Sequence, residues 1–169
     1  MTVIRLEEPE DIAAIRRVNE EAFGSPAEAD LVDALRRNGK VTFSLVAEHD
    51  DRIVGHILFS LVRLETDGRE LMGVGLAPVA VLPEFQDRGI GSLLVQNGLE
   101  RCRETGHPFA VVLGHHSYYP RFGFAPASRF GIKSEFDVVD ENFMAMELRK
   151  GALQNRAGMA KYQPEFNEV

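Results

Sequence analysis

The stretch Val79-Ala80-Val81-Leu82-Pro83-Glu84-Phe85-Gln86-Asp87-Arg88-Gly89-Ile90-Gly91-Ser92-Leu93-Leu94 constrains this chain more than any other. It runs from an apolar strand, through a polar turn holding two glycines, into the start of an amphipathic helix. That order presents bare backbone N–H groups at a helix N-terminus, where donors and dipole together favour an anion. Gly89 and Gly91 carry no Cβ, so a phosphate can approach the main chain closely. Gln86 and Arg88 can add side-chain donors. The turn therefore reads as a grip for a phosphorylated ligand, with Gln86, Asp87, Arg88, Gly89, Ile90, Gly91 and Ser92 as its candidate contacts.

Three phosphate-binding patterns compete for these residues. A P-loop needs Lys after its second glycine, and neither glycine here is followed by one. A dinucleotide fingerprint needs G-x-G-x-x-G/A directly after a strand, but Leu94 stands where the third small residue belongs. The pattern Q/R-x-x-G-x-G/A is satisfied by Gln86, Gly89 and Gly91. Taken alone, the same residues could equally form a plain helix-opening turn.

A second motif follows in Tyr118-Tyr119-Pro120-Arg121-Phe122-Gly123-Phe124. Together the two motifs resemble those of the GNAT superfamily of N-acetyltransferases, and over residues 1–149 the chain looks like its YhbS-like branch. Gly75-Leu76-Ala77-Pro78 before the first motif adds to that likeness. The resemblance implies an α/β fold: one GNAT-like domain over 1–149, with a mixed, mostly antiparallel central sheet splayed into a V and flanked by helices. It also implies acetyl-CoA as co-substrate, its pyrophosphate on the glycine turn and its pantetheine arm against exposed main chain of Val79, Ala80 and Val81. Pro78 suits such a strand, since a strand proline marks a bulge or an edge, although it could also only bend the strand.

The element pattern agrees with that order. Val3–Leu6 is a short strand, Pro9 opens a helix running to about Phe23, and Ser25-Pro26-Ala27-Glu28 caps a second helix that Asn38-Gly39 ends. Phe43–Ala47 and Ile53–Phe59 are strands joined by a polar turn, and Thr66-Asp67-Gly68-Arg69 turns into the apolar run Leu71–Leu82. Leu94, Val95, Gly98, Leu99 and Cys102 share one helix face, with Gly98 allowing close approach to the sheet. Phe109–Leu113 is an unbroken apolar strand, a helical turn lies near Tyr118–Arg121, Phe124 enters a further strand and Met144–Leu148 is another. The predicted order is βααβββαβαββ, and residues 150–169 read as an irregular tail.

Charge and composition narrow the partners. The 169 residues are 44 % hydrophobic and 27 % charged, which suits one globular domain with a real core. A formal charge of -7 disfavours nucleic acid and would suit a cationic amine. No apolar run reaches the ~20 residues of a membrane span, and the N-terminus lacks the basic-then-apolar order of a signal peptide. The single cysteine, Cys102, fits a reducing cytoplasm and reads as a small core residue. No His/Cys/Asp cluster has metal-ligand spacing. The expectation is a cytoplasmic protein with no metal, no membrane and no nucleic-acid partner. GNAT relatives often dimerise, so a homodimer is compatible.

For chemistry, the resemblance implies direct attack of an amine, from a small molecule or a protein, on the thioester, with Tyr119 protonating the departing CoA sulfur. A phenol stays protonated at neutral pH and can donate to a thiolate of comparable basicity. Tyr119 could also be only an aromatic packing residue, and Tyr118 is its nearest substitute. Many relatives carry a Glu on the strand before the phosphate turn as general base, yet Leu71–Leu82 holds no acidic residue. His115 or His116 could take the amine proton, directly or through water, and adjacent residues on an extended segment point opposite ways. Both could also be plain loop histidines. An acyl-CoA-binding sensor of the same fold, or an acyltransferase with another donor or an oxygen acceptor, remains an alternative.

Overall fold

The computed structural model describes residues 1–168. A nine-stranded sheet runs in the order β1-β2-β3-β4-β5-β8-β6, with β9 pairing both β3 and β7. Its strands are β1 (Thr2–Leu6), β2 (Val41–His49), β3 (Arg52–Thr66), β4 (Arg69–Val81), β5 (Phe109–Leu113), β6 (Ala125–Pro126), β7 (Ile132–Ser134), β8 (Phe143–Glu147) and β9 (Gly158–Lys161). The α-helices are α1 (Ile12–Phe23), α2 (Ala27–Arg37) and α3 (Ile90–Glu104). β1 pairs antiparallel with β2, β8 antiparallel with β5 and β6, and β9 antiparallel with β3; β4 pairs parallel with β5, and β7 with β9. The architecture is thus a single α/β domain with a mixed, mostly antiparallel open sheet flanked by helices. Within it the chain forms two compact units, one of Met1–Phe59, Ala77–Gly98 and the segment from Pro164, the other of Ser60–Leu76 and Leu99–Gln163.

In the first unit, the chain reverses between β2 and β3 at Asp50 and Asp51, both with positive φ (49° and 63°), as a two-residue turn matched to strand twist requires. Ile15, Val18 and Asn19 of α1 and Leu31, Val32 and Leu35 of α2 are buried. The apolar face of α3 lies where the periodicity placed it. A Cβ on Gly98 would run into the Phe59 ring of β3, so only glycine admits this approach. α2 starts one residue later than its cap motif suggests. Pro26 takes the cap position, and the Ser25 hydroxyl accepts the Ala27 N–H at 3.2 Å from outside the helix.

One buried polar group in this unit is fully arranged by its neighbours. His56 of β3 is 0 % exposed. Its Nε2 lies 2.8 Å from the Ser44 hydroxyl, and its Nδ1 lies 3.1 Å from the Asn19 side-chain nitrogen. Because that nitrogen also donates to the Ile15 carbonyl, the ring is satisfied as a neutral tautomer with Nδ1 accepting and Nε2–H donating.

In the second unit, Val62, Leu64, Phe109, Val111, Ile132, Phe143, Leu153 and Ala160 belong to one buried cluster. Two of these come from the segment after residue 150, which the sequence pattern leaves irregular. Residues 158–161 instead form β9, whose Met159, Ala160 and Lys161 lie opposite Glu65, Leu64 and Arg63. Pattern fails there because a four-residue strand carries too few alternations to be recognised. β7 escapes for the same reason. The expected helical turn near Tyr118 is a 3-10 turn over Tyr119–Phe122.

Candidate functional site

The glycine turn leaves the sheet at the end of β4, where Pro78 and Ala80 are buried and Val79 and Val81 are partly exposed. Leu82 donates its N–H to the Val54 carbonyl at 2.9 Å, and Pro83–Phe85 make a single 3-10 turn. Gln86 Nε2 donates to the Val81 carbonyl at 3.0 Å, clasping the turn to the strand end. The Arg88 guanidinium lies over the Phe85 ring at 5.0 Å. Both side chains expected as extra donors therefore make contacts within the turn itself, and main-chain groups are its principal offering. Asp87 is exposed with φ 64°, a conformation Asp tolerates better than most residues.

Gly89 has φ 81°, and a Cβ there would meet nothing within 4 Å. Its carbonyl accepts the Leu93 N–H at 3.0 Å, so the first turn of α3 supplies the amides of Ile90, Gly91 and Ser92 at a helix N-terminus. Ile90 is buried and anchors that start, its Cγ2 lying 3.2 Å from the Cβ position of Gly55. A fifteen-residue helix anchored at its first residue, with open space at the Gly89 Cβ position before it, can receive an anionic group.

The ladder between β4 and β5 consists of Val74↔Ala110 and Gly75↔Val111. β5 continues to Leu113, and Gly114 then donates its N–H to the Asn142 carbonyl. The His115 carbonyl accepts the amides of Tyr118 and Tyr119 at 3.0 and 3.3 Å. That bend seats the Tyr119 ring on Gly114, where any Cβ would collide with it. Tyr118 and Phe124 meet Tyr119 edge-on at 5.0 and 5.9 Å, and burial, then the neighbouring Tyr118, push the Tyr119 phenol up to about 12. Such a phenol holds its proton at neutral pH and is no general base.

The two histidines separate. His116 Nδ1 lies 3.2 Å from Asn142 Oδ1 and 3.7 Å from Glu141, whereas exposed His115 lines a cavity of about 340 Å³ with Leu113, Gly114, Val138, Val139 and Asn142. Glu84 is exposed and pairs with Arg52 at 3.2 Å. The sequence pattern assigns no place to Tyr162 and Glu135, which the structure brings together beside β4. Tyr162 follows β9, its ring reaches 2.9 Å from the Cβ position of Gly75, and its N–H is accepted by Glu135 Oε1 at 3.0 Å. The only signal for Tyr162 is an aromatic after the short stretch Gly158-Met159-Ala160-Lys161. Among the described residues no helix is long and apolar enough to cross a membrane, and no three His, Cys, Asp or Glu side chains group as metal ligands.

The sequence family described as the acetyltransferase (GNAT) domain matches residues 3–127. Over 166 residues the chain is 34 % identical to the protein named uncharacterized N-acetyltransferase YhbS of Escherichia coli K12, covering 98 % of each. The crystal structure of Escherichia coli YhbS in complex with CoA superposes with a TM-score of 0.92, covering 98 % of this chain and 92 % of that one. A GNAT family acetyltransferase of Brucella melitensis, solved with acetyl-CoA, is 36 % identical with a TM-score of 0.80, covering 98 % of both chains. With these similarities extending over nearly the whole length and both motifs in place, this chain belongs to the GNAT family of acetyltransferases.

Proposed function

We propose that this protein moves the acetyl group of acetyl-CoA directly to an amine of a small molecule or a protein. The observation that carries this reading is the glycine turn: an open Gly89 at positive φ before an anchored helix start, in a chain whose relatives of 34 % and 36 % identity were solved with CoA and acetyl-CoA. The co-substrate supplies an activated thioester. The amides from Arg88 to Ser92, with the Gln86 to Arg88 turn, hold its pyrophosphate, and main chain of Val79 to Val81 lies along the pantetheine arm. An N–H near Ala80 or Val81 faces the developing oxyanion, a preorganised donor of the kind that supplies most transition-state stabilisation. Tyr119 gives its proton to the sulfur as the C–S bond breaks. With no acid on Leu71–Leu82, His115 takes the amine proton directly or through water.

That same missing strand carboxylate favours a second reading, an acyl-CoA-binding module that has lost chemistry. Calorimetry with acetyl-CoA tests the shared premise. Wild type should bind and Gly89→Glu should not, since a carboxylate would then stand in the phosphate's place; equal binding by both refutes the turn as the grip. An amine-library screen for thiol release then separates transferase from module, and loss of turnover in Tyr119→Phe with retained affinity identifies the acid.

A further inference from the structure

Among the large apolar side chains described, only Met1 is more exposed than Val139, at 60 %, and Leu113, at 47 %. Those two meet at one place: both line the cavity of about 340 Å³ that His115 borders. Leu113 ends β5 opposite Phe143 of β8, and the Gly114 N–H, donated to the Asn142 carbonyl, holds the segment before β8 against that strand end. Val138 adds a third apolar wall, and Gly114 and Asn142 complete it. Gly114 also joins the cavity to the proposed acid. Its main chain lines the cavity, and the Tyr119 ring fills the space where its side chain would stand. The polar side of the lining is as telling, for none of these residues is Asp, Glu, Lys or Arg. The acids of the same segment are committed elsewhere. Asp137 and Asp140 line a neighbouring cavity of about 350 Å³, where the Ser128 hydroxyl donates to Asp140 at 3.0 Å, and Glu141 stands 3.7 Å from His116. An ammonium entering a space of this kind loses water and gains no carboxylate, which favours its neutral form, the form that attacks a thioester. A carboxylate-lined site would hold the ammonium more tightly, but in its unreactive state.

We propose that the acceptor is a monoamine with an apolar alkyl or aryl substituent, which lies on Leu113, Val138 and Val139 and presents its nitrogen to His115. This rests on the transferase reading given above and names the acceptor class for it. The transfer itself is unchanged: the N–C bond forms as the C–S bond breaks, His115 takes the amine proton directly or through water, and Tyr119 gives its proton to the sulfur.

The probes are straight-chain amines from propylamine to hexylamine, together with hexamethylenediamine, in the thiol-release assay with acetyl-CoA. Along the monoamine series kcat/KM should rise about two- to fourfold per added methylene, as burial of each CH₂ predicts. Hexamethylenediamine matches hexylamine in length but carries a second ammonium into the apolar end, and should be poorer by about tenfold or more. A flat series, or a diamine as good as hexylamine, overturns the proposal. The double variant Leu113→Ser/Val139→Ser changes two exposed side chains, so the fold should hold. It should flatten the dependence on chain length while acetyl-CoA affinity, read by calorimetry, stays within about twofold of wild type. A dependence as steep as that of wild type overturns this cavity as the acceptor's place. If every straight-chain amine is refused while the amine library yields another acceptor, this inference falls alone. If acetyl-CoA binds and no amine of the library is acetylated, the transferase reading falls and takes this inference with it.

Discussion

Acidification should destabilise this protein through one residue that plays no part in the proposed chemistry. His56 is fully buried, accepts at Nδ1 from Asn19 and donates at Nε2 to Ser44. A second ring proton would face the Asn19 nitrogen, itself a donor, in a site shut off from solvent. Burial first, then the charge of Arg36, lower its pKa from 6.5 to about 3. The unfolded chain binds a proton as pH falls through the ordinary value, while the native chain does not. Stability from this residue is therefore fully present above about pH 7 and declines as pH falls, levelling off only below the native pKa. Integrating that linkage gives a loss of about 2 kcal/mol between pH 7 and pH 5 from His56 alone. For a chain of this size that is about 4–8 °C in Tm. Other groups titrate in acid too, Asp11 among them, its carboxyl held low by the hydrogen-bonded Arg5. The measurement is accordingly a difference: urea unfolding of wild type and of His56→Gln at pH 7, 6 and 5. Glutamine offers both a donor and an acceptor to Ser44 and Asn19 and has no proton to gain. Its pH slope should be shallower than that of wild type by about 2 kcal/mol over this range. Parallel slopes, or an imidazole NMR signal of native His56 that titrates near pH 6, would refute the reasoning.

Three further outcomes follow from packing. Gly98→Ala drives a Cβ into the Phe59 ring and should cost about 1–3 kcal/mol despite the better helix propensity of alanine, read as a lower Tm; an unchanged Tm would mean the ring moves freely. Cys102 is 0 % exposed and burial pushes its thiol up to about 12, so a thiol reagent should label it far more slowly in native protein than in denaturant, and rapid native labelling would contradict the buried site. Ending the chain at Arg149 removes buried Leu153 and Ala160 together with β9, and should cost more than the ~2–5 kcal/mol of a single large core truncation; a truncated chain as stable as the full one would refute a structural role for that segment.

What the sequence revealed and what it hid divide along a physical line. The glycine turn, the polar reversals at Asp50–Asp51 and Asp67–Gly68, and the face of α3 are local, each fixed by residues within a few positions of one another, and each was readable. Ser25 lies one position outside the cap that its motif predicts, a local offset of the usual size. The apolar run Leu71–Leu82 was readable as a strand, but the meaning of its glycines was not. Only register shows that Gly73 leaves room for Phe109, 2.6 Å from its Cβ position, and that Gly75 leaves room for Tyr162. Tyr162 itself lay in a segment with no pattern, because β9 is four residues long and its partners on β3, Arg63 to Glu65, come nearly a hundred residues earlier. Tyr119 was found by its motif, yet what holds it, Gly114 beneath the ring and Tyr118 and Phe124 at its edges, is visible only once the bend after β5 is built. The same holds for the proposed chemistry. A motif points to the proposed proton donor because that residue is local to its turn, whereas what each glycine of β4 admits is a property of strand pairing. For that reason the glycine shelf is tested on stability: Gly75→Ala would press on Val62 and Tyr162 at 2.8 and 2.9 Å and should lower Tm, at a cost of about 1–3 kcal/mol. A Tm well below that of wild type would mean that the ring cannot give way and that packing requires glycine there. An unchanged Tm would refute that requirement, because the Tyr162 ring would then have moved aside at no cost.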